Sequence, residues 1–375
     1  MMTHLNFSVD MDLLKDSVLN SNMEAVVKSS VVLVLNAYME NERDEYLKAD
    51  HYERDYTVGI GKIRLRVPRT RSGEFSTSAF EKFARCDQAL ILAMLEMVVN
   101  GVSTRKVTHV IEQLCGENVS KSFVSSLTAK LDPVVNEWAL RPLNVTYYPY
   151  IFVDAMYIKV REHNRVVSKA VYIATAITED NRREILGLKV DHAESFESWQ
   201  SFLQELKSRG LQSPKLVISD AHEGLKKAIQ REFIGTSWQR CNVHFKRNIV
   251  DKLPKKDTEA FRLQLKRLFM AVTVEDMRAF KEDLFTTFTD QPKFEKALAT
   301  LDDGFEDTIQ YMNEPVKLHP HIRSTNSLER LNQEVRRRER VIRIFPNTQS
   351  AFRLIGAVLM QQEKTQYSQK KGLTK

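Results

Sequence analysis

The sequence contains no long apolar segment and few cysteines. No uninterrupted apolar run approaches the roughly 20 residues that a membrane-spanning helix needs, and the first residues show no signal-peptide pattern. The three cysteines, Cys86, Cys115 and Cys241, are far apart and odd in number, so they imply no disulfide framework. We therefore expect a cytoplasmic protein in a reducing compartment, without a membrane partner.

Motifs of two other enzyme classes are also missing. The sequence has no glycine-rich loop that would cradle phosphates and no Ser-His-Asp pattern of a nucleophilic hydrolase. The chain is long enough to bury a large core in two or three domains, because it has 375 residues, 42% of them hydrophobic. It also has positive charge: 56 Lys and Arg against 49 Asp and Glu give a net charge of +7, which favours a polyanionic partner, nucleic acid first.

The first part of the chain combines a charged helical pattern with a basic strand. Apolar residues recur at helical spacing from about Met11 to Asp55, so residues 1–58 are predicted to form a helical arm for packing or dimerisation. In the stretch GKIRLRVPRTRSG that follows, apolar residues alternate with cations, which predicts a strand. Its cations are Lys62, Arg64, Arg66, Arg69 and Arg71. This face either follows DNA phosphates or is an ordinary solvated strand face.

A helix-turn-helix pattern comes next, within residues 59–145. The segments STRKVTHVIEQLCG and SKSFVSSLTAKLD are joined around Gly116 to Val119, with Ser103 and Ser120 as predicted N-caps. The residues that the second helix would offer to DNA are Ser122, Ser125 and Lys130. A helical hairpin in a protein that binds no DNA would show the same pattern.

From Tyr147 onward the pattern changes to strands. Three strand-like segments with short connections are followed by helix, strand, helix and strand, which predicts the order βββαβαβ. From about Asn248 to Met312 every segment is predicted to be helical. A final arginine-rich helix and a polar, frayed tail after Gln361 complete the chain.

Asp154 stands in the segment YIFVDAMYI, where both faces of the predicted strand are apolar. A carboxylate in such a strand is costly to bury unless something compensates its charge. A bound cation would do so. The alternative is a structural aspartate with a protein partner at a strand edge.

Asp220 ends the strand KLVISD and precedes a helix. It is placed to act as an N-cap, with Glu223 completing a capping box. The functional alternative is that Asp220 joins Asp154, because open α/β sheets gather ligands at the carboxyl ends of their strands.

An acid precedes a cluster of arginines in the stretch STNSLERLNQEVRRRERVIRIFP. Asn326 and Glu329 fit a helix cap with its capping box. At about 100° per residue, Glu329, Arg336 and Arg340 also share one flank of the helix. A carboxylate that holds a divalent ion beside cations that hold a DNA strand suits phosphodiester chemistry, whereas a solvated surface helix would have the same composition.

Three carboxylates on a βββαβαβ core resemble the RNase H-like fold of DDE transposases and integrases. At the level of the family, YPYIFVDAMYIKVR, LVISDAHEGLKKAI, WQRCNVHFKRN and STNSLERLNQEVRRRERVIRIFPN resemble, in this order, the bacterial mutator-type transposases of the IS256 family. The resemblance runs from about Gly59 to Phe352. It implies that Asp154, Asp220 and Glu329 are the first, second and third catalytic acids.

The resemblance also implies a fold and its domains. The expected fold is α/β: an RNase H-like catalytic core with a mixed five-stranded sheet and flanking helices, an all-helical insertion, and a helical N-terminal DNA-binding region. The expected domains are the arm 1–58, the DNA-binding region 59–145, the catalytic core 146–247, the insertion 248–318, the C-terminal core helices 319–360 with the last acid, and the tail 361–375.

The activity that the resemblance implies is transposition of an insertion sequence by a DDE mechanism. The protein would bind the terminal inverted repeats of its element and target DNA, as a homodimer or higher oligomer at the bacterial nucleoid. Two Mg²⁺ ions, replaceable by Mn²⁺, would be held by Asp154, Asp220 and Glu329. The arginines expected to bind DNA are Arg336, Arg337 and Arg340. The alternatives are an RNase H-like nuclease that cuts without joining and a domesticated DNA-binding protein without catalysis.

Cys241 and His244 match the Cys-x-x-His signature of the same family. A structural zinc ion would need four ligands, and no second Cys/His pair in the sequence has suitable spacing. We therefore expect the two residues to brace the corner between a strand and a helix near the active site.

Overall fold

The structure, a computed structural model, describes residues 23–44, 50–58, 61–69, 77, 88–115 and 119–367. The chain divides into two compact units, Met1–Lys130 and Leu131–Lys375. The helices of the first unit are α1 (Met23–Asp44), α2 (Gln88–Val99), α3 (Thr104–Cys115) and α4 (Lys121–Thr128). Its strands are β1 (Asp50–Val58) and β2 (Gly61–Arg69).

In the first unit, helix α1 covers one face of the β1–β2 hairpin. Apolar side chains from the helix and from both strands are buried there, among them Met39, Tyr56 and Leu65. The prediction that the helical arm continues to Asp55 is wrong, because β1 pairs along its whole length with β2 in antiparallel register. The alternating apolar residues of β2 need a partner strand, and the dense charge of β1 obscures its own strand pattern.

Helices α2, α3 and α4 form a separate cluster in this unit. They bury apolar side chains against one another, including Met94 and Val124. Both helices of the predicted helix-turn-helix are present as α3 and α4, while Gly116 of the turn lies outside the described residues. Ser120 caps α4 as predicted, since its hydroxyl accepts a hydrogen bond from the backbone N–H of Phe123 at 3.1 Å.

The second unit is built around a mixed five-stranded sheet with the order β5-β4-β3-β6-β7. Strands β3, β4 and β5 are antiparallel neighbours, and β6 and β7 continue the sheet in parallel to β3. The strands are β3 (Tyr150–Glu162), β4 (Arg165–Ile177), β5 (Arg183–Asp191), β6 (Leu216–Ser219) and β7 (Ser237–Arg240). Helix α6 (Phe196–Ser208) precedes β6 and helix α7 (Glu223–Glu232) precedes β7, which confirms the predicted order βββαβαβ.

Helices α6 and α7 cover one face of this sheet. Trp199 of α6 and Leu225 of α7 are fully buried in a cluster with Ile151 and Val153 of β3. Because side chains alternate along a strand, Asp154 is directed to the opposite face.

Four helices follow β7 and confirm the helical pattern predicted for the insertion. They are α8 (Asn242–Val250), α9 (Glu259–Leu268), α10 (Val274–Phe288) and α11 (Glu295–Thr308). Their core contains three aromatic rings, Phe261, Phe288 and Phe294, with ring centroids 4.9 to 5.1 Å apart.

The last helices return to the sheet. They are α12 (His319–Ile322), α13 (Asn326–Ile342) and α14 (Thr348–Gln362). Between α13 and α14, the backbone of Phe345 exchanges hydrogen bonds of 2.9 Å with Lys159 and Arg161 of β3. These bonds hold α13 beside the strand that carries Asp154.

Helix α5 (Asp132–Ala139) differs from its expected place in the DNA-binding region 59–145, because it belongs to the second unit. Its Asp132 accepts hydrogen bonds of 2.6 and 2.8 Å from the guanidinium of Arg353 on α14. This contact joins α5 to a helix 221 residues further along the chain.

The start of the predicted polar tail is anchored rather than frayed. The Glu363 carboxylate accepts hydrogen bonds from the indole of Trp138 at 2.7 Å, the backbone N–H of Ile185 at 3.0 Å and the guanidinium of Arg141 at 3.1 Å. Among the residues described, no helix is both long and apolar enough to cross a membrane.

Candidate active site

Asp154 lies on β3, and Asp220 directly follows β6, the parallel neighbour of β3. The register of β3 and β6 pairs Tyr150 with Leu216 and Phe152 with Ile218, an offset of 66 residues that also separates Asp154 from Asp220. Adjacent strands run about 4.8 Å apart, so continuing this register places the two aspartates side by side. The sequence predicted this meeting only if the strands before the two aspartates were neighbours, and β3 and β6 are neighbours.

The environment of Asp154 opposes its ionisation. Burial, with repulsion from Asp220 as the next cause, raises the pKa of Asp154 from 3.8 to about 7. Two hydrogen bonds act on the same carboxylate: the backbone N–H of Ala155 donates to Oδ1 at 2.9 Å, and the amide of Asn332 donates to Oδ2 at 2.7 Å. The position suits a carboxylate whose charge is neutralised by a cation.

Asp220 does not cap the helix that follows it. The N-cap of α7 is His222, whose Nδ1 accepts from the backbone N–H of Leu225 at 3.3 Å. The capping interpretation of Asp220 and Glu223 is therefore wrong. Glu223 is the first helical residue and its side chain is exposed. The helix begins two residues later than expected, which leaves the carboxylate of Asp220 outside the cap.

Glu329 lies in the first turn of α13, but it does not form a capping box. The helix begins at Asn326 with Thr325 as its N-cap, and that cap makes no side-chain hydrogen bond. Oε1 of Glu329 is buried and lies 3.2 Å from Nε2 of His244 on α8. One turn further along α13, Asn332 contacts Asp154. The same side of the helix thus carries Glu329 and the residue that contacts the first aspartate.

The Cys-x-x-His pair joins β6, α8 and α13. The backbone N–H of Cys241 donates to the carbonyl of Ser219 at 2.7 Å. The sulfur of Cys241 accepts from the backbone N–H and the hydroxyl of Thr325 at 3.4 and 3.3 Å. Since Thr325 precedes α13, Cys241 fixes the start of the helix while His244 contacts its Glu329. These contacts connect the pair to the end of β6 and the start of α13.

The electrostatics of His244 follow from these neighbours. Its interaction with Cys241, which outweighs burial, raises the pKa of His244 to about 9, and Glu329 and Asp154 act in the same direction. Burial raises the pKa of Cys241, but interactions with His244 and Thr325 lower it below the ordinary value. A protonated His244 would neutralise part of the negative charge that the acids bring together.

A fourth acid near Asp154 and Asp220 is Glu194, which the sequence did not indicate. It precedes α6, and its Oε1 accepts from the indole N–H of Trp199 at 3.1 Å. Burial raises the pKa of Glu194; His222 lowers it, and Asp220 contributes a further increase. An acid just before a helix resembles any helix-start residue, so the sequence carries no signal for this location.

The carboxylates provide the oxygen ligands that Mg²⁺ or Mn²⁺ prefers, and the like-charged pair of Asp154 and Asp220 would be relieved by a cation. Within the described residues, no group of three or more His, Cys, Asp or Glu side chains is arranged to hold a metal ion. Glu329 faces His244 here. The carboxylate oxygens of Asp154 and Asp220 suit a divalent ion. Glu329, whose Oε1 is buried, is the candidate for the third acid.

The basic ladder of β2 faces acids on β1. Lys62 lies 3.2 Å from Asp55, and Arg64 lies 3.3 Å from Asp55 and 3.5 Å from Glu53. Arg66 is exposed. For Arg69 only the backbone is described, and Arg71 lies outside the described residues. Part of the predicted phosphate-binding charge is thus compensated by the neighbouring strand.

The other predicted DNA-binding residues are on the protein surface. On and after α4, the exposed residues are Ser122, Ser125 and Lys130. On α13, Arg336 and Arg340 are exposed, whereas Arg337 lies 3.2 Å from Glu334. Glu334 also pairs with the buried Arg338, so the arginines of this helix divide into paired and outward-facing ones.

Comparisons with known proteins cover nearly the whole chain. Residues 2–369 match the Mutator family of transposases. The chain is 49% identical over 373 residues to the transposase for insertion sequence element IS256 in transposon Tn4001 from Staphylococcus aureus, covering 96% of this chain and 95% of that protein. It is 39% identical to the ISRM5 transposase of Rhizobium meliloti (92% and 86% covered) and 37% identical to the IS406 transposase of Burkholderia multivorans (87% and 88% covered).

Proposed function

Because the chain belongs to the Mutator family of transposases, we propose that it transposes an insertion sequence by DDE chemistry on an RNase H-like core. It would bind the terminal inverted repeats of its element, cleave DNA strands there and join them to target DNA. The observation that supports the proposal is the parallel pairing of β3 with β6, two residues short of Asp154 and Asp220, together with the contact between Asn332 of α13 and Asp154. Such an arrangement would bring the two aspartates together and the helix of Glu329 beside them.

In the proposed mechanism, the protein positions the groups and the DNA supplies the nucleophile. Asp154, Asp220 and Glu329 would hold two divalent ions, which when bound lower the pKa of water or of a 3′-hydroxyl and stabilise the leaving oxygen. Asn332 fixes the orientation of Asp154, and His244 that of Glu329. The reaction needs no side-chain nucleophile.

The exposed arginines of α13 complete the mechanism. Arg336 and Arg340 share a flank with Glu329 and would hold the phosphates of the strand being cut. Their charge is sequence-independent, so they would position the strand rather than recognise bases. Recognition of the terminal repeats is assigned to α4, whose Ser122 and Ser125 are exposed.

The test is a strand-transfer assay on a duplex taken from the DNA that flanks the gene, with Mg²⁺ or with EDTA. The wild-type protein should yield cleaved and joined products only with the metal. Glu329→Gln should reduce both by orders of magnitude, because a neutral amide removes negative charge from the cation site, while DNA binding and melting temperature stay near wild type. The matched control is Glu223→Gln, an exposed acid near the site, which should retain full activity.

Each rival function predicts a different result. A nuclease of the same fold would cleave without joined products. A DNA-binding protein without catalysis would bind the duplex equally with EDTA and would not respond to Glu329→Gln. If Glu329→Gln joins ends at the wild-type rate, the third ligand must be another acid, with Glu334 or Glu194 as candidates.

A further inference from the structure

A surface groove lies between the helical insertion and the start of α13. It has a volume of about 340 Å³ and is lined by α8, by the end of α9 and by the segment that precedes α13. The backbone N–H of Asn242 donates to the carbonyl of Arg323 at 3.0 Å, which ties two of these walls together. His244, the partner of Glu329, is on α8 two residues before Lys246 of the groove. Asn326, which also lines the groove, precedes Glu329 by three residues on α13, so the two residues are neighbours on the helix surface and the groove adjoins the helix of the candidate third acid.

The charges of this groove are all of one sign. Lys246, Lys266 and Arg323 line it, and no Asp or Glu does. In the part of the chain that the structure describes, none of the three cations has an acidic ion-pair partner. We call it the cationic groove.

A second groove near Asp220 provides the contrast. It is lined by acids as well as cations, and its Lys226 pairs with Asp307 at 2.6 Å. Its Lys227 also lies 3.9 Å from Glu223, so cations of that groove have acidic partners within the protein. Those of the cationic groove are free to meet an anion from outside.

Uncharged residues complete the lining of the cationic groove, and several of them are apolar. Phe269, Met270 and Pro320 line it, and Met270 is 67% exposed. The groove also meets the start of α13, a 17-residue helix whose N-cap makes no side-chain hydrogen bond. The positive end of a helix favours anions. Cations beside an exposed apolar surface match a ligand in which phosphates alternate with sugars and bases.

We propose that the cationic groove binds the sugar-phosphate backbone of the DNA strand that enters the active site. The inference rests on the proposed function for the identity of the polyanion. Lys246, Lys266 and Arg323 contact its phosphates, and the apolar side chains contact the neighbouring sugar and base. Because no carboxylate lines the groove, no acid there repels the phosphates of the strand.

The experiment measures DNA binding by the full-length protein as a function of salt. The probe is a fluorescent duplex of the flanking DNA, in EDTA so that no cleavage occurs. Replacing all three cations, Lys246→Gln, Lys266→Gln and Arg323→Gln, should lower the slope of log K against log salt by about 2 to 3 units, because each phosphate contact contributes roughly 0.9. At 0.1 M salt the affinity should fall on the order of 100-fold.

Two further variants separate lost contacts from lost folding. The control Arg278→Gln with Lys281→Gln removes cations that are already paired, with Glu306 and Asp302, and should change the slope little. The double variant Lys246→Arg with Lys266→Arg keeps the charge and should keep the wild-type slope. Melting temperatures of all variants are measured alongside, and exposed Lys266→Gln alone should lower the slope by about 1 unit.

The outcomes are distinct. A triple variant that is folded and has the wild-type slope overturns the proposal. So does a groove that binds inorganic phosphate, detected as a rise in melting temperature that the triple variant loses, while DNA binding is unaffected. A wild-type protein that neither cleaves nor joins DNA with Mg²⁺ contradicts the proposed function instead, and it leaves the binding comparison intact.

Discussion

Replacing Asp154 with asparagine is expected to stabilise the protein at alkaline pH while it removes activity. The structural reason is that burial and the neighbouring Asp220 raise the pKa of Asp154 to about 7. The folded protein therefore binds this proton more tightly than the unfolded chain does, and the free energy of unfolding falls as pH rises from about 3.8 to about 7.

The magnitude follows from the same two values. A shift from 3.8 to about 7, at 1.36 kcal/mol per unit, costs the folded state about 4 kcal/mol at pH 8 and under about 2 kcal/mol at pH 5. These figures are upper bounds. Asparagine has no charge to bury, and Oδ1 of Asn332 has no hydrogen-bond partner within the described residues, so the Asn332 amide can turn and accept from the new side chain. The packing cost of Asp154→Asn should be small.

The assay compares thermal unfolding of the wild type and Asp154→Asn in EDTA at pH 5 and pH 8. The advantage of the variant should be larger at pH 8 by roughly 3 kcal/mol or less, which for a unit of this size corresponds to at most roughly 6–12 °C. Adding Mg²⁺ at pH 8 should stabilise the wild type more than the variant, because only the wild type keeps the full set of acids.

Two results would refute this reasoning. An equal difference in melting temperature at both pH values would mean that ionisation of Asp154 does not strain the fold. Equal stabilisation of both proteins by Mg²⁺ would mean that Asp154 does not contribute to a cation site.

Three further perturbations test other parts of the structure. Asn332→Ala should lower the rate of strand cleavage about 10- to 100-fold without changing DNA affinity, because it removes the amide that orients Asp154. Cleavage rates measured across a range of Mg²⁺ concentrations would show the loss. Glu363→Gln should lower the free energy of unfolding by about 2 kcal/mol in urea titrations, since one amide oxygen cannot serve the three donors that the carboxylate serves; an unchanged midpoint would contradict the anchoring role. Lys62→Gln with Arg64→Gln should reduce the slope of log K against log salt by less than the roughly 1.8 units expected for two free phosphate contacts, because acids of β1 already pair with both cations. A full loss of roughly 1.8 units would show that these ion pairs open when DNA binds.

Much of the second unit could be predicted from the sequence because the relevant signals are local. Strand-like apolar segments with short connections indicated β3, β4 and β5, and helical patterns indicated the segment between Asn248 and Met312. The prediction that Asp154 and Asp220 meet required one further condition, neighbouring strands, which the register of β3 and β6 satisfies. Periodicity of side chains along a segment depends only on that segment, so the sequence by itself determines it.

Only the tertiary structure decided which residues become partners. Asn332 reaches Asp154 across 178 residues, and no local pattern distinguishes it from other polar residues of an arginine-rich helix. Asp55 of β1, which pairs with Lys62, belongs to a segment that the spacing of apolar residues predicted to be helical. Partner choice depends on strand register and on how helices pack, and both are set by the burial of apolar surface from distant segments.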